Sequence, residues 1–261
     1  VSRIARFSIA SRTRSKPISL PRFFVEGVHA VGDEVELRGD DARKLTLVLR
    51  KRDGDLVHLY DSSGSAFEAQ LAITDARVRA RLVRTIAAPP VESLEIVLAQ
   101  GLPKGQKMDF VVEKATELGV ARIVPLVTER TQGEGAREGK TERWRRLARA
   151  AAQQCGRSGV PEIEAPLAWS EMCARFSEFE RVLVPWELAK VEPLAGRLPD
   201  LLTGVRRVAV AIGPEGGFSH AEIEQATAAG AVTISLGRRI LRTETAGLVV
   251  CGILRYAAGE L

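Results

Sequence analysis

Two polar turns in the last fifty residues carry the side chains whose types and spacing could do chemistry. The first, GPEGGF (Gly213 to Phe218), follows the apolar run RRVAVAI, and the second, SLGRRILRTETA (Ser235 to Ala246), follows another short apolar run. In the first turn Pro214 fixes the backbone while Gly216 and Gly217 permit positive φ, so amides can line a cradle. A phosphate loop does not fit these residues. Neither GxGxxG nor GxxxxGK[ST] is present, and Glu215 puts a carboxylate where a phosphate would sit. A carboxylate inside a glycine cradle suits a ligand that is neutral or cationic there, such as a sulfonium, an amine or a ribose hydroxyl. The second turn brings Arg238, Arg239 and Arg242 to the start of a helix near Thr243, with Glu244 in its first turn.

The elements that must position these turns follow from periodicity. Ser219 and Glu222 form an S-x-x-E capping box that starts a helix ending before Gly230. The last helix, through Val249, Ile253 and Leu254, is apolar enough for core or for a subunit contact. Upstream, LEIVLAQ, a helix from about Lys107 to Leu118 closed by Gly119, and ARIVPLV make a βαβ unit. Met108, Val111, Val112, Ala115 and Leu118 are its buried stripe, which leaves Lys104, Lys107, Lys114 and Glu117 on or near the other faces. RVLVPWE and RRVAVAI are further strands, a short helix lies around Glu171 to Phe176, and Pro193 and Pro199 punctuate a connection. The alternation predicts an α/β fold with a mainly parallel sheet, whose carboxyl-edge loops hold ligands.

Ahead of Ala87-Ala88-Pro89-Pro90 the pattern differs. FFV, EVEL, LVHLY and AFEAQLAI, separated by glycine turns, predict a small β-barrel over residues 20–88, followed by the α/β domain over 89–261. Within the first domain, DDARKLTLVLRKRDGD offers a short helix with Leu45, Val48 and Leu49 on one face and Arg43, Lys44, Arg50, Lys51 and Arg52 outward. A second basic stretch is the helix ERWRRLARAAAQQCGR, with Trp144, Leu147, Ala148 and Ala151 inward, preceded by the polar loop ERTQGEGAREGKT. Both patches are candidates for phosphate contact.

Bulk charge does not argue for nucleic acid. The net charge of +5 rests on residues 1 to 25, which hold six Lys/Arg and no acid; the remaining 32 Lys/Arg face 33 Asp/Glu. Residues 1–19, Arg/Ser-rich and acid-free, are expected to lie outside the fold. A basic RNA arm, an organelle-targeting leader and sequence upstream of the functional start are the three readings, the last favoured. No apolar run reaches 18 residues, and the start lacks a secretory h-region. Cys155, Cys173 and Cys251 have no CxxC spacing and His29, His58 and His220 are the only histidines, so neither a metal site nor a disulfide framework is expected. The thiols are read as small buried hydrophobes in a reducing cytoplasm.

Five segments in order, PRFFV, KGQKMDFVVEKATELGV (Lys104 to Val120), QQCGRSGVPEI (Gln153 to Ile163), IGPEGGFS (Ile212 to Ser219) and SLGRRILRTETA, resemble the RsmE family of small-subunit ribosomal RNA methyltransferases in the SPOUT superfamily. The resemblance spans Pro21 onward. It implies a PUA-like RNA-binding barrel, a C-terminal domain whose last segment is threaded into a trefoil knot, a homodimer, S-adenosylmethionine as methyl donor, and methylation of a 16S rRNA uridine at N3. Cofactor residues then fall at Pro185, Trp186 and Glu187; Ile212, Gly213, Glu215, Gly216 and Gly217; and Leu236, Gly237, Ile240 and Leu241. Arg242 would stabilise the uridine anion, and Glu244 or Glu117 would accept the proton. RNA contacts are expected from Arg22, Arg50, Lys51, Arg52, Lys104, Lys107, Arg145, Arg149 and Arg157. The sequence departs from the family at DDARKL, where a histidine-bearing segment is expected. A non-catalytic assembly factor of the same fold and a ribose 2′-O-methyltransferase are the competing functions.

Overall fold

The computed structural model describes residues 20–74, 77–90, 92–131, 139–191 and 193–261, so the basic N-terminal stretch and most of the loop before the basic helix lie outside the described residues. The N-terminal part comprises β1 (Arg22–Phe24), β2 (Glu34–Leu37), α1 (Gly39–Arg43) running into a π-helical turn (Lys44–Val48), β3 (Leu56–Tyr60), β4 (Ala66–Ile73) and β5 (Val78–Ile86). They form a five-stranded sheet of order β1-β3-β4-β5-β2, antiparallel except for the β1–β3 pair. The alternation of AFEAQLAI and VRARLVRTI sends Phe67, Ala69, Leu71, Val78, Ala80 and Leu82 inward, onto Phe23, Val57 and Leu59. A bulge between Glu68 and Ala69 bends β4 and helps the sheet curl.

The remainder comprises β6 (Glu95–Gly101), α2 (Lys107–Glu117), β7 (Arg122–Val127), α3 (Lys140–Cys155), β8 (Glu162–Ile163), β9 (Leu167–Ala168), α4 (Trp169–Ala174), β10 (Arg181–Pro185), α5 (Leu194–Leu202), β11 (Arg207–Ile212), α6 (His220–Ala228), β12 (Val232–Ile234) and α7 (Thr243–Ala257). The strands form one sheet of order β12-β10-β11-β6-β7-β8, with β9 also on β7, and every pairing is parallel. Such strands are covered on both faces, and so read as continuous apolar runs. On one face Leu98, Val210 and Ile212 pack against Met108, Val111 and Val112 of α2 and Val250 and Leu254 of α7; on the other Val97, Val124 and Ala209 meet Trp169, Met172 and Ile223.

Several sequence expectations need correction. The residues around Pro199 are not a bare connection but helix α5, with Pro199 inside it. An internal proline costs a helix about 3 kcal/mol. Burial of Leu194 and Leu201 in the main core offsets that, and the Thr203 amide and hydroxyl both donate to the Pro199 carbonyl at 3.0 and 2.8 Å. In the turn after α1 only Leu45 is buried; Val48 and Leu49 point to solvent, because the π-helical winding rotates them off the face that α-helical spacing gives them. Of the thiols, Cys173 and Cys251 are buried but Cys155 is exposed. The basic helix α3 keeps Arg143, Arg145 and Arg146 exposed on one side but is also engaged on another. It docks on the N-terminal sheet, where Ala152 shares a small core with Phe24, Tyr60 and Ala66.

Candidate active site

The carboxyl ends of β10 and β11 and the loop between β12 and α7 surround one cleft of about 340 Å³, lined by Pro185, Glu187, Ile212 to Glu215, Gly217, Phe218, Ile240 to Thr243, Ala246 and Lys107. A smaller hollow of about 130 Å³ adjoins it and adds Trp186, Ser235, Leu236, Gly237, Arg238 and Arg239. The combined size is that of a small-molecule site. The glycine turn is packed too tightly for side chains. A Cβ on Gly213 would lie 2.9 Å from the Gly217 carbonyl carbon, and one on Gly217, whose φ is +67°, would lie 2.8 Å from Glu187 Oε1. Behind it, a Cβ on Gly101 would lie 2.5 Å from the Pro214 nitrogen, so β6 also needs glycine where the turn crosses it.

A buried relay joins the cleft's parts. Gln100 Nε2 donates to Thr243 Oγ1 at 2.8 Å, and Thr243 Oγ1 donates to the Gly213 carbonyl at 2.5 Å. A carbonyl can only accept, which fixes the direction of both bonds. Gln100 thus ties the end of β6, the glycine turn and the first residue of α7 together. The capping box at Ser219 forms as its spacing predicts: the Ser219 amide donates to Glu222 Oε2 at 2.9 Å and the Glu222 amide to Ser219 Oγ at 3.3 Å. Glu222 Oε1 also accepts from the Glu129 amide at 2.8 Å, clamping the loop after β7.

The electrostatics differ from the sequence reading at one point. Glu215 is not a bare carboxylate: Lys107 Nζ lies 2.9 Å from its Oε1, which also accepts from the Lys104 amide at 3.0 Å. Burial alone would raise the Glu215 carboxyl, but the bonds from Lys107 and the Lys104 amide prevail and hold it below its ordinary value. Lys107 is correspondingly raised, chiefly by that bond. The carboxylate in the cleft without an ion-pair partner among the described residues is Glu187. Glu187 and Glu215 thus both line the cleft, and they differ in that Glu215 is ion-paired to Lys107. Trp186 contributes a buried indole N–H with no acceptor, its ring edge-on to His220.

The proposed cofactor residues therefore converge on the cleft and its adjoining hollow, except Gly216, which faces away and accepts a bond from Arg130 through its carbonyl. Arg242 lines the cleft as the exposed residue before α7. Glu244 stands behind the wall, with a buried Oε2 that has no hydrogen-bond donor and lies 3.7 Å from Lys107 Nζ. Glu117 is elsewhere. It pairs with Lys114 on α2, about 15 Å along the helix from Lys107 at 1.5 Å per residue, beside a groove against α3.

The expected RNA residues divide by environment. Arg50 and Arg52 are exposed and unpaired among the described residues, Lys51 faces Asp55 at 4.0 Å, and the Lys104 side chain is exposed beside the cleft. Lys107 belongs to the cleft itself. Arg149 donates to the Phe24 carbonyl and lies 2.9 Å from Asp41, and Arg22 packs over Gly156, so both serve the junction between the two sheets. Arg145 donates to the Ile163 carbonyl at 3.2 Å. Arg157 is largely buried, donating to the Val120 carbonyl at 2.7 Å, and burial depresses its pKa. Helical charge spacing cannot distinguish a free guanidinium from one that carries a packing contact. Residues that the sequence reading left out of the site are Gln100, Thr243, Phe218 and Ala246; a glutamine inside an otherwise apolar strand was the available signal for the first.

A parallel α/β sheet with a cleft of this kind at its switch in strand order defines the class, an RNA methyltransferase domain, whose family model matches residues 90–255. The ribosomal RNA small subunit methyltransferase E of a Synechocystis species is 30% identical over 94% of this chain and 80% of its own length. That of Bacillus subtilis is 26% identical over 91% of this chain and 96% of its own. The enzyme of the same name from Neisseria gonorrhoeae, solved with S-adenosyl methionine, superposes with a TM-score of 0.81 at 30% identity, covering 91% of this chain and 98% of that one. A Legionella pneumophila protein solved with bound SAM gives 0.84 at 31% identity, covering 92% and 98%. The chain belongs to the ribosomal RNA small subunit methyltransferase E family.

Proposed function

We propose that this protein methylates a uridine of small-subunit ribosomal RNA at ring nitrogen N3, with S-adenosylmethionine as donor. The observation that carries the reading is the meeting of three strand-end loops around one cleft that Arg242 enters. The residues fit the donor on physical grounds. Glu187 supplies an unpaired carboxylate for a ribose hydroxyl or a cation, the Trp186 indole N–H lacks an acceptor, and Ile212, Leu241 and Ala246 give an apolar wall. S-adenosylmethionine supplies the methyl group when bound.

The chain's own work is alignment and charge. The N3 proton would pass to a base ahead of the transfer, and the N3 electron pair would take the methyl group as its bond to the donor sulfur breaks and leaves a neutral thioether; Arg242 stabilises the negative charge developing on the uracil ring. Of the two candidate acids Glu244, two residues from Arg242 and 3.7 Å from the cleft-lining Lys107, is the acceptor we assign to the proton. Glu117 is too far along α2 for that role. The exposed cations Lys104, Arg238, Arg239 and Arg242 around the cleft suit an approaching phosphate backbone. The acceptor base is unpaired or flipped out, since Watson–Crick pairing engages N3.

The finer architecture belongs to the same reading. The five-stranded sheet serves as the PUA-like RNA-binding barrel. The loop between β12, at one sheet edge, and α7, which packs on β11 and β6, is the knotted segment; the return across the sheet supports this. Half-exposed Phe110 on α2 and Val249 and Tyr256 on α7 suit a homodimer contact. A cytoplasmic location follows from an rRNA substrate, and no helix among the described residues is long and apolar enough to cross a membrane.

Incubation with methyl-labelled S-adenosylmethionine and small subunits lacking the modification should yield one methyl group, recovered as N3-methyluridine by nucleoside mass spectrometry. A 2′-O-methylated nucleoside would support the ribose reading instead. RNA binding without any transfer would support the assembly factor.

A further inference from the structure

The tip of the N-terminal sheet domain combines features that neither the core nor the cleft uses. Leu47 is 66% and Val48 72% exposed, with half-exposed Leu49 beside them, at the end of a helix whose only buried residue is Leu45. Three consecutive exposed aliphatic residues at a protruding turn are unfavourable in water unless something covers them. Two backbone hydrogen bonds close the turn. The Leu49 amide donates to the Lys44 carbonyl at 2.8 Å and the Lys51 amide to the Leu45 carbonyl at 2.9 Å. Between them Arg50 adopts φ +50°, a left-handed conformation at a helix end where glycine is the low-cost residue. A π-helical turn and an arginine in place of that glycine both cost stability, and both serve to present these side chains outward.

Three exposed arginines without ion-pair partners among the described residues outnumber the exposed acids Asp40 and Asp53 around the tip. Arg43, four residues before Leu47 and on the same helix face, and Arg50 and Arg52 beyond it are exposed without an ion-pair partner among the described residues. Of the neighbouring acids Asp40 is exposed, while three others are held by hydrogen bonds that leave their charge in place. Asp41 accepts from Arg149 and Gln153, Asp55 from the Arg52 amide at 2.9 Å, and Asp53 from the Ile73 amide at 2.9 Å. An apolar point ringed by free guanidiniums fits a polyanion that offers hydrophobic faces between its charges, which describes stacked nucleobases between phosphates. It does not fit a lipid bilayer, which needs a larger apolar area, or an acidic protein surface, which offers no slot for Leu47 and Val48.

We propose that Leu47 and Val48 form a wedge inserted against the base stack of the substrate RNA, with Arg43, Arg50 and Arg52 gripping the flanking phosphates. This rests on the RNA methyltransferase reading and adds a site of RNA distortion on the N-terminal domain, separate from the methyl-transfer cleft. Apolar wedges that part base steps are an established way for proteins to kink nucleic acid.

The test compares the full chain with its Leu47→Ser/Val48→Ser and Arg50→Ala/Arg52→Ala variants, binding unmethylated small-subunit rRNA over a range of salt. The apolar double variant should bind about 10- to 100-fold more weakly at every salt concentration with an unchanged salt slope. The arginine double variant should instead lower the slope of log K against log salt by nearly 2 if both contacted phosphates are duplex-like. S-adenosylmethionine affinity and light-scattering mass should match the parent in both, which shows that the fold is intact. RNA affinity within twofold of the parent for Leu47→Ser/Val48→Ser would overturn the wedge. So would loss of self-association in that variant, which would assign the tip to a second copy of the chain. Absence of methyl transfer by the parent would sink the enzyme reading separately, since the wedge is judged on affinity and salt slope.

Discussion

Gln100 Nε2 donates to the Thr243 hydroxyl across 143 residues of sequence, and that hydroxyl in turn donates to Gly213, so one buried side chain sets both walls of the cleft. Thr243→Val removes the middle of the relay, leaves the buried Gly213 carbonyl without this donor and leaves the Gln100 amide only its 3.2 Å bond to the Gly101 carbonyl. A buried polar group left unsatisfied costs about 1–3 kcal/mol. The variant should melt several degrees lower and bind S-adenosylmethionine more weakly in calorimetry. Thr243→Ser, which keeps the hydroxyl, should recover most of both losses; failure to do so would mean that the methyl group, not the relay, matters.

Lys107→Met leaves Glu215 and Glu244 facing each other without their shared cation. Glu215, now held below its ordinary value by Lys107 and the Lys104 amide, should titrate at higher pH. The acid side of the pH dependence of RNA affinity should move upward with Glu215, and KM for RNA should rise about 5- to 10-fold from the added negative charge at the cleft. A profile superimposable on that of the parent would show that Lys107 does no electrostatic work there.

Glu164 accepts from Arg175 through both oxygens, at 2.7 and 3.0 Å, and from Arg122 at 3.1 Å. The Arg175 bond first, and then the Arg122 bond, hold its carboxyl below the ordinary 4.5. A depressed carboxyl contributes stability that is complete above the unfolded value and is lost as pH falls through the folded one. Glu164→Gln should therefore lower Tm at pH 7 and flatten its fall below about pH 4.5. Equal acid sensitivity in the variant and the parent would refute the assignment.

Cys251 is fully buried on α7, and burial pushes its thiol up to about 12, while Cys155 is exposed. A thiol reagent at pH 7.5 should label Cys155 and leave Cys251 untouched until unfolding. Mass mapping of the labelled peptides checks this, and early modification of Cys251 would point to opening of the last helix.

Much of the fold is legible in the residues themselves. The apolar runs of the parallel strands, the stripe on α2 and the Ser219–Glu222 box depend on local periodicity and spacing, which sequence displays directly. The two turns announced themselves as site loops because glycine, proline and charge at strand ends leave few other structural uses. Helix α5 was hidden, since local propensity counts Pro199 heavily and cannot see the core that offsets it.

The sequence by itself determined most of the strands and helices of the α/β part, and that glycine-rich and arginine-rich turns follow strands near residues 213 and 240. Only the tertiary structure decided which charges are free. It pairs Glu215 with Lys107 and leaves Glu187 without an ion-pair partner among the described residues, commits Arg149 and Arg157 to packing, and carries Glu117 along α2 away from Lys107 while bringing Gln100 to Thr243. Periodicity is a property of neighbours along the chain, whereas an ion pair is decided by distance and desolvation between elements that only folding brings together.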